Sequence, residues 1–193
     1  MTVESTQSLG PYNRFAIWVQ GCLKRCPGCI SKDSQPIDGG YEAETTDLAE
    51  TIINTPDIEG ITISGGEPFL QSEALVDLVS RVKAKKNIGV IVYTGNDFEE
   101  IKENALTNLC DIVIDGIYIE DMNDGLSLRG SSNQNIHLIS KRYEDVVKNI
   151  YGVQGRKIEL HCMEGKTTMV GIPDKKSLLA LEGKTGNLNK SAL

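Results

Sequence analysis

Three cysteines lie close together in the chain and could hold a metal centre. Cys22, Cys26 and Cys29 form a C-x3-C-x2-C run. Cysteine thiolates are the usual ligands of iron–sulfur clusters, and a [4Fe–4S] cluster has four irons to bind. Three thiolates would leave one iron open to a small ligand, as the open position does in catalytic metal sites. The run therefore predicts a cluster with one free coordination position.

The same three thiolates also allow other interpretations. A zinc site could use them with His161, Cys162 or Cys110 as the fourth ligand. Zinc sites usually show two pairs of ligands, and the sequence contains no second pair. The cysteines alone leave a cluster, a zinc site and plain buried thiols open.

A glycine pair follows the next predicted strand. Gly65, Gly66, Glu67 and Pro68 come directly after the apolar segment 60–64. The carboxyl ends of parallel strands are where α/β sheets bind ligands. Glycines there allow close backbone approach, and free carbonyl groups can accept hydrogen bonds from a cationic amine. An ordinary strand-to-helix turn would also explain this segment.

An alternation of strands and helices must position these two motifs. The predicted strands are 14–19, 60–64, 88–93, 111–115 and 135–139. The predicted helices run from Thr45 or Thr46 through Ile53, from Ser72 through Val82, from Asp97 through Leu106, and over 141–150. Aliphatic strands between amphipathic helices indicate a parallel sheet that is buried on both faces.

The pattern changes in the last third of the chain. Segments 157–161 and 167–172 predict the two arms of a hairpin that turns at 164–165, and a helix is predicted over 174–182. We expect a single domain over residues 1–182, with a core at 9–140, an extension at 141–182 and a flexible tail at 183–193. The polar loop 116–132 is long enough to be functional.

Composition narrows the possible partners and the compartment. The 193 residues are 39% hydrophobic and 24% charged, and the net charge is −7. An acidic chain disfavours nucleic-acid binding, and no apolar run approaches the ~20 residues that span a membrane. The first residues show no secretory signal, and five cysteines without one suit a reducing compartment. We therefore expect a cytoplasmic protein that binds neither nucleic acid nor membrane.

Several motifs resemble those of one enzyme superfamily. The chain resembles the radical S-adenosylmethionine enzymes, and within them the small anaerobic ribonucleotide reductase activating enzymes, which activate glycyl-radical enzymes. The motifs that carry the resemblance are QGC at 20–22, RCPGC at 25–29, YTG at 93–95, DIVIDG at 111–116 and LRGSSNQ at 128–134. They fall in the family's order and cover about residues 9 to 140. The last motif is the most specific.

The resemblance implies a fold, a reaction and partners. The implied fold is a partial (β/α)6 barrel, here followed by a short C-terminal β-hairpin and helix. In the implied reaction a reduced [4Fe–4S] cluster cleaves S-adenosylmethionine to a 5′-deoxyadenosyl radical, which abstracts hydrogen from a glycine of a partner enzyme. A reduced flavodoxin or ferredoxin would supply the electron. The protein would position the reacting carbon and exclude water.

The resemblance also implies site residues. The cluster ligands would be Cys22, Cys26 and Cys29. The residues that would contact S-adenosylmethionine are Gly28, Ile30, Gly65, Gly66, Glu67, Thr94, Asp115 and Arg129. Within this set the two glycines and Glu67 would contact the methionine end of the cofactor, and Thr94 would offer its hydroxyl to the ribose. No catalytic residue is assigned.

The chain departs from the activating enzymes in two places. It has Ile30 and Ser31 where those enzymes commonly carry Tyr-Asn, and it continues well beyond LRGSSNQ. Two further hypotheses therefore stand beside glycyl-radical activation. One keeps the radical chemistry but changes the substrate to a peptide or small molecule of a biosynthetic pathway. The other is a non-catalytic module that binds zinc or an iron–sulfur cluster.

Overall fold

A six-stranded sheet forms the centre of the fold. The computed structural model describes residues 1–150, 154–163, 166–173 and 188–190. The strands are β1 (Thr2–Thr6), β2 (Arg14–Val19), β3 (Gly60–Gly65), β4 (Gly89–Tyr93), β5 (Ile112–Asp115) and β6 (Asn135–Leu138). They lie in sequence order, with β2 to β5 parallel and β1 and β6 antiparallel at the two edges. The carboxyl ends of the four parallel strands therefore meet at one edge of the sheet.

Five α-helices accompany the sheet in the described part of the chain. They are α1 (Thr45–Asn54), α2 (Ser72–Lys83), α3 (Phe98–Ile101), α4 (Ala105–Leu109) and α5 (Glu144–Ile150). Short 3-10 turns occur at Lys32–Ser34, Pro68–Gln71 and Glu120–Met122. None of the helices described here has the length and apolar character needed to cross a bilayer.

Alternate residues of each strand face two different environments. Phe15, Ile61 and Val90 are fully buried in the main hydrophobic core, together with Ile52 of α1 and Val79 of α2. Successive side chains of a strand point to opposite faces, so the intervening residues form a second face, called here the inner face. It carries buried polar and aromatic side chains, namely those of Arg14, Trp18, Thr62, Ser64 and Tyr93. The predicted burial of the parallel strands on both faces is confirmed.

The inner face holds a fully buried arginine at the start of β2. The Arg14 guanidinium donates to Thr62 Oγ1 at 2.7 Å and to the hydroxyl of Tyr143 at 2.8 Å. It also donates to the carbonyl oxygens of Ile61 at 2.7 Å and Gly89 at 3.2 Å. A buried arginine needs partners for its N–H groups, and these contacts supply them from the two strands β3 and β4 and from the chain before α5.

The predicted C-terminal hairpin is confirmed. Strands β7 (Glu159–Met163) and β8 (Lys166–Val170) pair antiparallel, and β9 (Leu188–Lys190) pairs parallel with β8. The predicted turn at 164–165 and the predicted helix at 174–182 lie outside the described residues. Strand β9 falls within the segment that the sequence analysis assigns to a tail.

The barrel implied by the resemblance is not confirmed. Within the described residues the sheet is open, and both of its edge strands are antiparallel to their neighbours. A parallel strand needs a long crossover, usually through a helix. The connection from β5 to β6 contains only the short 3-10 turn, so β6 returns antiparallel. Strand β1 was not predicted, because its alternating, mostly exposed residues form no apolar run.

Some helices begin or end at other residues than predicted, because capping hydrogen bonds set their ends. The predicted helix from Asp97 to Leu106 is two helices, because Asn104 caps α4 by accepting a hydrogen bond from Leu106 N at 2.9 Å. Asp97 begins α3 in a capping box with Glu100, as its position predicted. The predicted cap at Thr45 or Thr46 is wrong, since both residues lie within α1 and Glu44 is the N-cap residue.

Candidate metal centre and cofactor cavity

The loops that follow strands β2, β3, β4 and β5 surround one cavity. The cavity and the open solvent space at its mouth together measure about 700 Å³. The residues that line it are Cys22, Lys24, Cys26, Cys29, Ile30, Gln35, Ser64, Gly65, Gly66, Glu67, Tyr93, Thr94, Gly95, Gly116, Tyr118, Gly130, Gln134 and Ile172.

The cysteine loop leaves β2 and closes back on itself. Gly21 N donates to Ser34 O at 2.8 Å, and Cys22 N donates to Gln35 O at 2.9 Å. All three cysteines of the loop are free thiols, half-buried, and part of the cavity wall. The loop therefore presents three sulfur atoms to one space without a disulfide.

The glycine pair at the end of β3 packs directly against the cysteine loop. Gly66 N donates to Val19 O at 2.8 Å, and Glu67 N donates to Gly21 O at 2.7 Å. A Cβ on Gly66 would lie 2.2 Å from Gly21 O, and one on Gly65 would lie 2.5 Å from Val19 O. These distances are shorter than any Cβ contact, so both positions require glycine for the two loops to touch.

Glu67 joins the ends of β3 and β4. Its side chain is buried, and its carboxylate accepts hydrogen bonds from Thr94 Oγ1 at 2.7 Å and from Gly95 N at 2.8 Å. The same carboxylate accepts from Phe69 N at 3.1 Å. Thr94 Oγ1 in turn accepts from Asn96 N at 3.1 Å. Glu67 thus holds the Thr-Gly turn against the Gly-Gly turn across the cavity edge.

The thiols have unequal environments. Burial raises the pKa of the Cys29 thiol, and the neighbouring thiols Cys26 and Cys22 raise it further. Hydrogen bonds from the Ser31 backbone and the Gln35 side chain oppose this shift. Metal ligation requires the thiolate, so binding of iron must displace the proton that burial favours.

The residues that could supply a fourth zinc ligand lie away from the cysteine loop. In the parts of the chain that the structure describes, no three Cys, His, Asp or Glu side chains converge on one ion position. Cys110 is buried directly after α4, donates to Leu106 O at 3.1 Å, and has its pKa raised by burial to about 12. His161 and Cys162 lie on β7, outside the cavity wall. A [4Fe–4S] cluster with one open iron needs only the three thiolates of the loop from the protein.

The cavity brings together most of the residues predicted for the site. Cys22, Cys26, Cys29, Ile30, Gly65, Gly66, Glu67 and Thr94 all line it. Gly28 is not part of the wall. It has a positive φ of 74° and packs against Glu120, whose carboxylate oxygen would lie 2.7 Å from a Cβ at this position.

Asp115 and Arg129 also lie behind the wall. The Asp115 carboxylate accepts from Phe98 N, at the start of α3, at 2.8 Å. The Arg129 guanidinium pairs with Asp124 at 2.7 Å. Each of these two residues directly precedes a glycine that lines the cavity. Their side chains therefore fix the main chain next to the cavity wall and do not line the cavity.

The LRGSSNQ motif folds around its glutamine. Gln134 Oε1 accepts from Gly130 N at 2.7 Å and from Ser131 N at 3.2 Å. Its Nε2 donates to Gly116 O at 2.8 Å. One side chain thereby fixes both ends of the long loop after β5, and it lines the cavity itself. The motif predicted the importance of this loop but not the role of Gln134.

Other wall residues had weak or no sequence signals. Tyr93 and Gly95 belong to the YTG motif, and Tyr118 lies in the loop 116–132 that was singled out for its length. Burial raises the pKa of Tyr93. Ile172 comes from the C-terminal extension, and no sequence pattern pointed to it.

Comparison with known proteins identifies the family. The family model for a 4Fe-4S single cluster domain matches residues 8–137. An anaerobic ribonucleoside-triphosphate reductase-activating protein of Salmonella typhi is 32% identical over 138 residues, covering 66% of this chain and 90% of the relative. The protein of the same name from Enterobacteria phage T4 is 31% identical, with 66% and 85% covered. The chain belongs to the radical S-adenosylmethionine family of glycyl-radical activating enzymes.

A relative that matches a shorter part of the chain agrees with this assignment. A pyruvate formate-lyase-activating enzyme of Listeria monocytogenes is 36% identical over 80 residues, covering 39% of this chain and 32% of the relative. The predicted family, the predicted class of radical oxidoreductase and its cofactors, a [4Fe–4S] cluster and S-adenosylmethionine, are confirmed. The half-buried thiols and the glycines beside them fit these two groups.

Proposed function

We propose that this protein removes a hydrogen atom from a backbone glycine of a partner enzyme of the anaerobic ribonucleotide reductase type, and that a reduced flavodoxin or ferredoxin supplies the electron. One observation carries the proposal. The cysteine loop and the Gly-Gly-Glu turn are hydrogen-bonded to each other and share one solvent-open cavity. The names of the Salmonella and phage relatives support the choice of partner.

Each part of the cavity has a proposed task. Cys22, Cys26 and Cys29 would hold the cluster, and the backbone of Gly65 and Gly66 would contact the methionine end of S-adenosylmethionine. When bound, the two cofactors supply hydrogen-atom abstraction. The protein itself would hold the thiolates and the bound cofactor in fixed positions through the backbone contacts between the two loops. It would also limit the access of water.

The remaining predicted residues divide into two groups. Ile30 and Thr94 line the cavity and are proposed to contact the bound cofactor directly. Gly28, Asp115 and Arg129 are proposed to act indirectly, by holding the main chain that forms the wall. Their contacts to Glu120, to the first turn of α3 and to Asp124 support this role.

The rim of the cavity supports a protein partner. Leu23 is 67% exposed and lies between two cavity residues of the cysteine loop. Ile117 is 47% exposed and lies between Gly116 and Tyr118, which also line the cavity. A protein partner would bury such exposed apolar side chains beside the cavity. A loop of a folded partner could therefore cover both while its glycine enters the cavity.

The cluster assignment can be tested with a pair of cysteine variants. After anaerobic reconstitution, Cys26→Ala should lose the iron and the absorbance of the cluster, and should form no 5′-deoxyadenosine from S-adenosylmethionine. Cys162→Ala removes an exposed thiol outside the cavity and should retain both. One zinc and no iron in the unaltered protein would contradict the assignment, as would 5′-deoxyadenosine formation by the Cys26 variant.

The partner can be tested by electron paramagnetic resonance. The reduced, reconstituted protein is incubated with S-adenosylmethionine and the glycyl-radical enzyme encoded nearest to it. The doublet of a glycine radical should appear, and it should be absent with a partner whose target glycine is changed to alanine. Cleavage of S-adenosylmethionine without a doublet would favour the second candidate, a peptide or small-molecule substrate. That candidate is supported by the extra cavity wall contributed by the C-terminal extension.

A further inference from the structure

The C-terminal extension covers part of the inner face of the sheet. Val170, at the end of β8, is fully buried against Leu9, Ala16 and Trp18. Two of these three residues belong to β2, the strand that leads into the cysteine loop. The apolar side chains on this face of the open sheet must be buried by another element. The extension does so here.

A glycine directs the chain from this contact toward the cavity. Gly171 has a φ of +109°, which favours glycine strongly. A Cβ at this position would also lie 2.5 Å from Lys157 O and 3.3 Å from the Ser8 side chain. The turn at Gly171 is therefore closely packed, and it brings Ile172 to the cavity, where Ile172 is 5% exposed and forms part of the wall.

The segment around Ile172 is fixed to the loop after β5. Ile172 Cδ1 lies 3.2 Å from the position that a Cβ would take on Gly130. Asn123 Nδ2 donates to Pro173 O at 3.3 Å. On the other side of the hairpin, Arg156 N donates to Gly125 O at 3.0 Å. Ile172 is therefore held against the loop that carries LRGSSNQ.

This wall comes from outside the part of the chain that the family model describes. The family match ends at residue 137, and the relatives named above overlap with about two thirds of this chain. The cysteines, the Gly-Gly-Glu turn and the loop after β5 all belong to the matched part. Ile172 is the cavity residue that lies beyond it among the residues described.

From these contacts we infer that Ile172 is a further ligand-binding residue, which sets the width of the cavity on the side of the inner face and contacts the S-adenosyl ligand bound there. The inference rests on the proposed function, because that function assigns the ligand. An isoleucine held on both sides by backbone contacts presents a rigid apolar surface. A larger side chain at this position would fill space that the ligand needs, and a smaller one would lose contacts with it.

Binding of S-adenosylhomocysteine, which lacks the sulfonium and is not cleaved, tests the inference by calorimetry on cluster-loaded protein. Ile172→Phe should weaken binding at least about tenfold, a change of about 1.4 kcal/mol. Ile172→Ala should weaken it about fivefold through lost apolar contact. Val170→Ala is the control, since it removes a buried apolar group of the same segment that does not line the cavity, and its affinity should be unchanged.

The outcomes separate the inference from the proposed function. Iron content and thermal unfolding are measured for each variant, and Ile172→Ala decides the result if Ile172→Phe does not fold. Affinity equal to that of the unaltered protein in a folded, cluster-loaded variant overturns the inference alone. An equal loss in Val170→Ala also overturns it, because the effect would then be general destabilisation. Absence of binding to the unaltered protein overturns the inference and the proposed function together.

Discussion

At the scale of single residues, Glu67 shows how a predicted ligand contact can be a structural support as well. Its carboxylate accepts three hydrogen bonds from protein groups, two of them from the Thr94–Gly95 turn. Buried carboxylates need such donors, since an unpaired charge in the interior is costly. The acidic residue at this position therefore holds two strand ends in register, whatever it contributes to the ligand.

Replacing this carboxylate should lower the stability of the fold. Glu67→Gln keeps the size of the side chain but turns an amide group toward one of the donors. We expect a loss of about 1 to 3 kcal/mol in the free energy of unfolding, measured by chemical denaturation. Glu50→Gln, at an exposed position of α1, should change it by less than about 0.5 kcal/mol. Equal stability of the two variants would show that the three hydrogen bonds contribute little.

At the scale of elements, the contact between the end of β3 and the cysteine loop decides whether the site forms. Gly66 N and Glu67 N donate to the carbonyl groups of Val19 and Gly21, which precede the first cysteine of the loop. The thiols can face one cavity only while this contact persists. The two motifs that stand apart in the sequence are therefore one structural unit.

Gly66→Ala tests this unit directly. The new Cβ would lie 2.2 Å from Gly21 O, so the cysteine loop must move away. We expect the variant to fold but to retain less than half of the iron of the unaltered protein after desalting. Gly155→Ala is the matched control, because its new Cβ would have no neighbour closer than 4.0 Å. Full iron retention by Gly66→Ala would mean that the thiols do not depend on this contact.

At the scale of the whole molecule, Arg14 ties together parts that are distant in the sequence. Its guanidinium lies at the start of β2, contacts β3 and β4, and pairs with Glu59 at 3.2 Å. Tyr143, which receives another of its hydrogen bonds, also donates to Glu59 and has its pKa raised by burial to about 12. This network lies at the opposite ends of the strands from the cavity.

Arg14→Lys should destabilise the fold without changing the site. Lysine has fewer donors, so buried carbonyl groups of β3 and β4 would lose their partners. We expect a loss of about 3 kcal/mol or more in the free energy of unfolding. Arg142→Lys, at a partly exposed position that also pairs with Glu59, should lose less than about 1 kcal/mol. Cluster content of folded Arg14→Lys should match the unaltered protein; a selective loss of iron would contradict this assignment.

The sequence by itself determined the parts of this protein that depend on local chemistry. The spacing of Cys22, Cys26 and Cys29 indicated a metal centre, and aliphatic runs located the buried parallel strands. The resemblance of the motifs to one family implied the [4Fe–4S] cluster and its S-adenosylmethionine ligand. Arg14 was counted there only as part of an apolar run. Its buried network depends on partners far along the chain.

Only the tertiary structure decided how the edges of the sheet are completed and which residues reach the cavity. Strand β1 is too polar to be recognised alone, and β6 runs antiparallel because its connection lacks a crossover helix. Ile172 lines the cavity because Gly171 turns the chain there and Gly130 leaves room for it. Such contacts join residues from distant segments of the chain, so the spacing of residues in the sequence does not predict them.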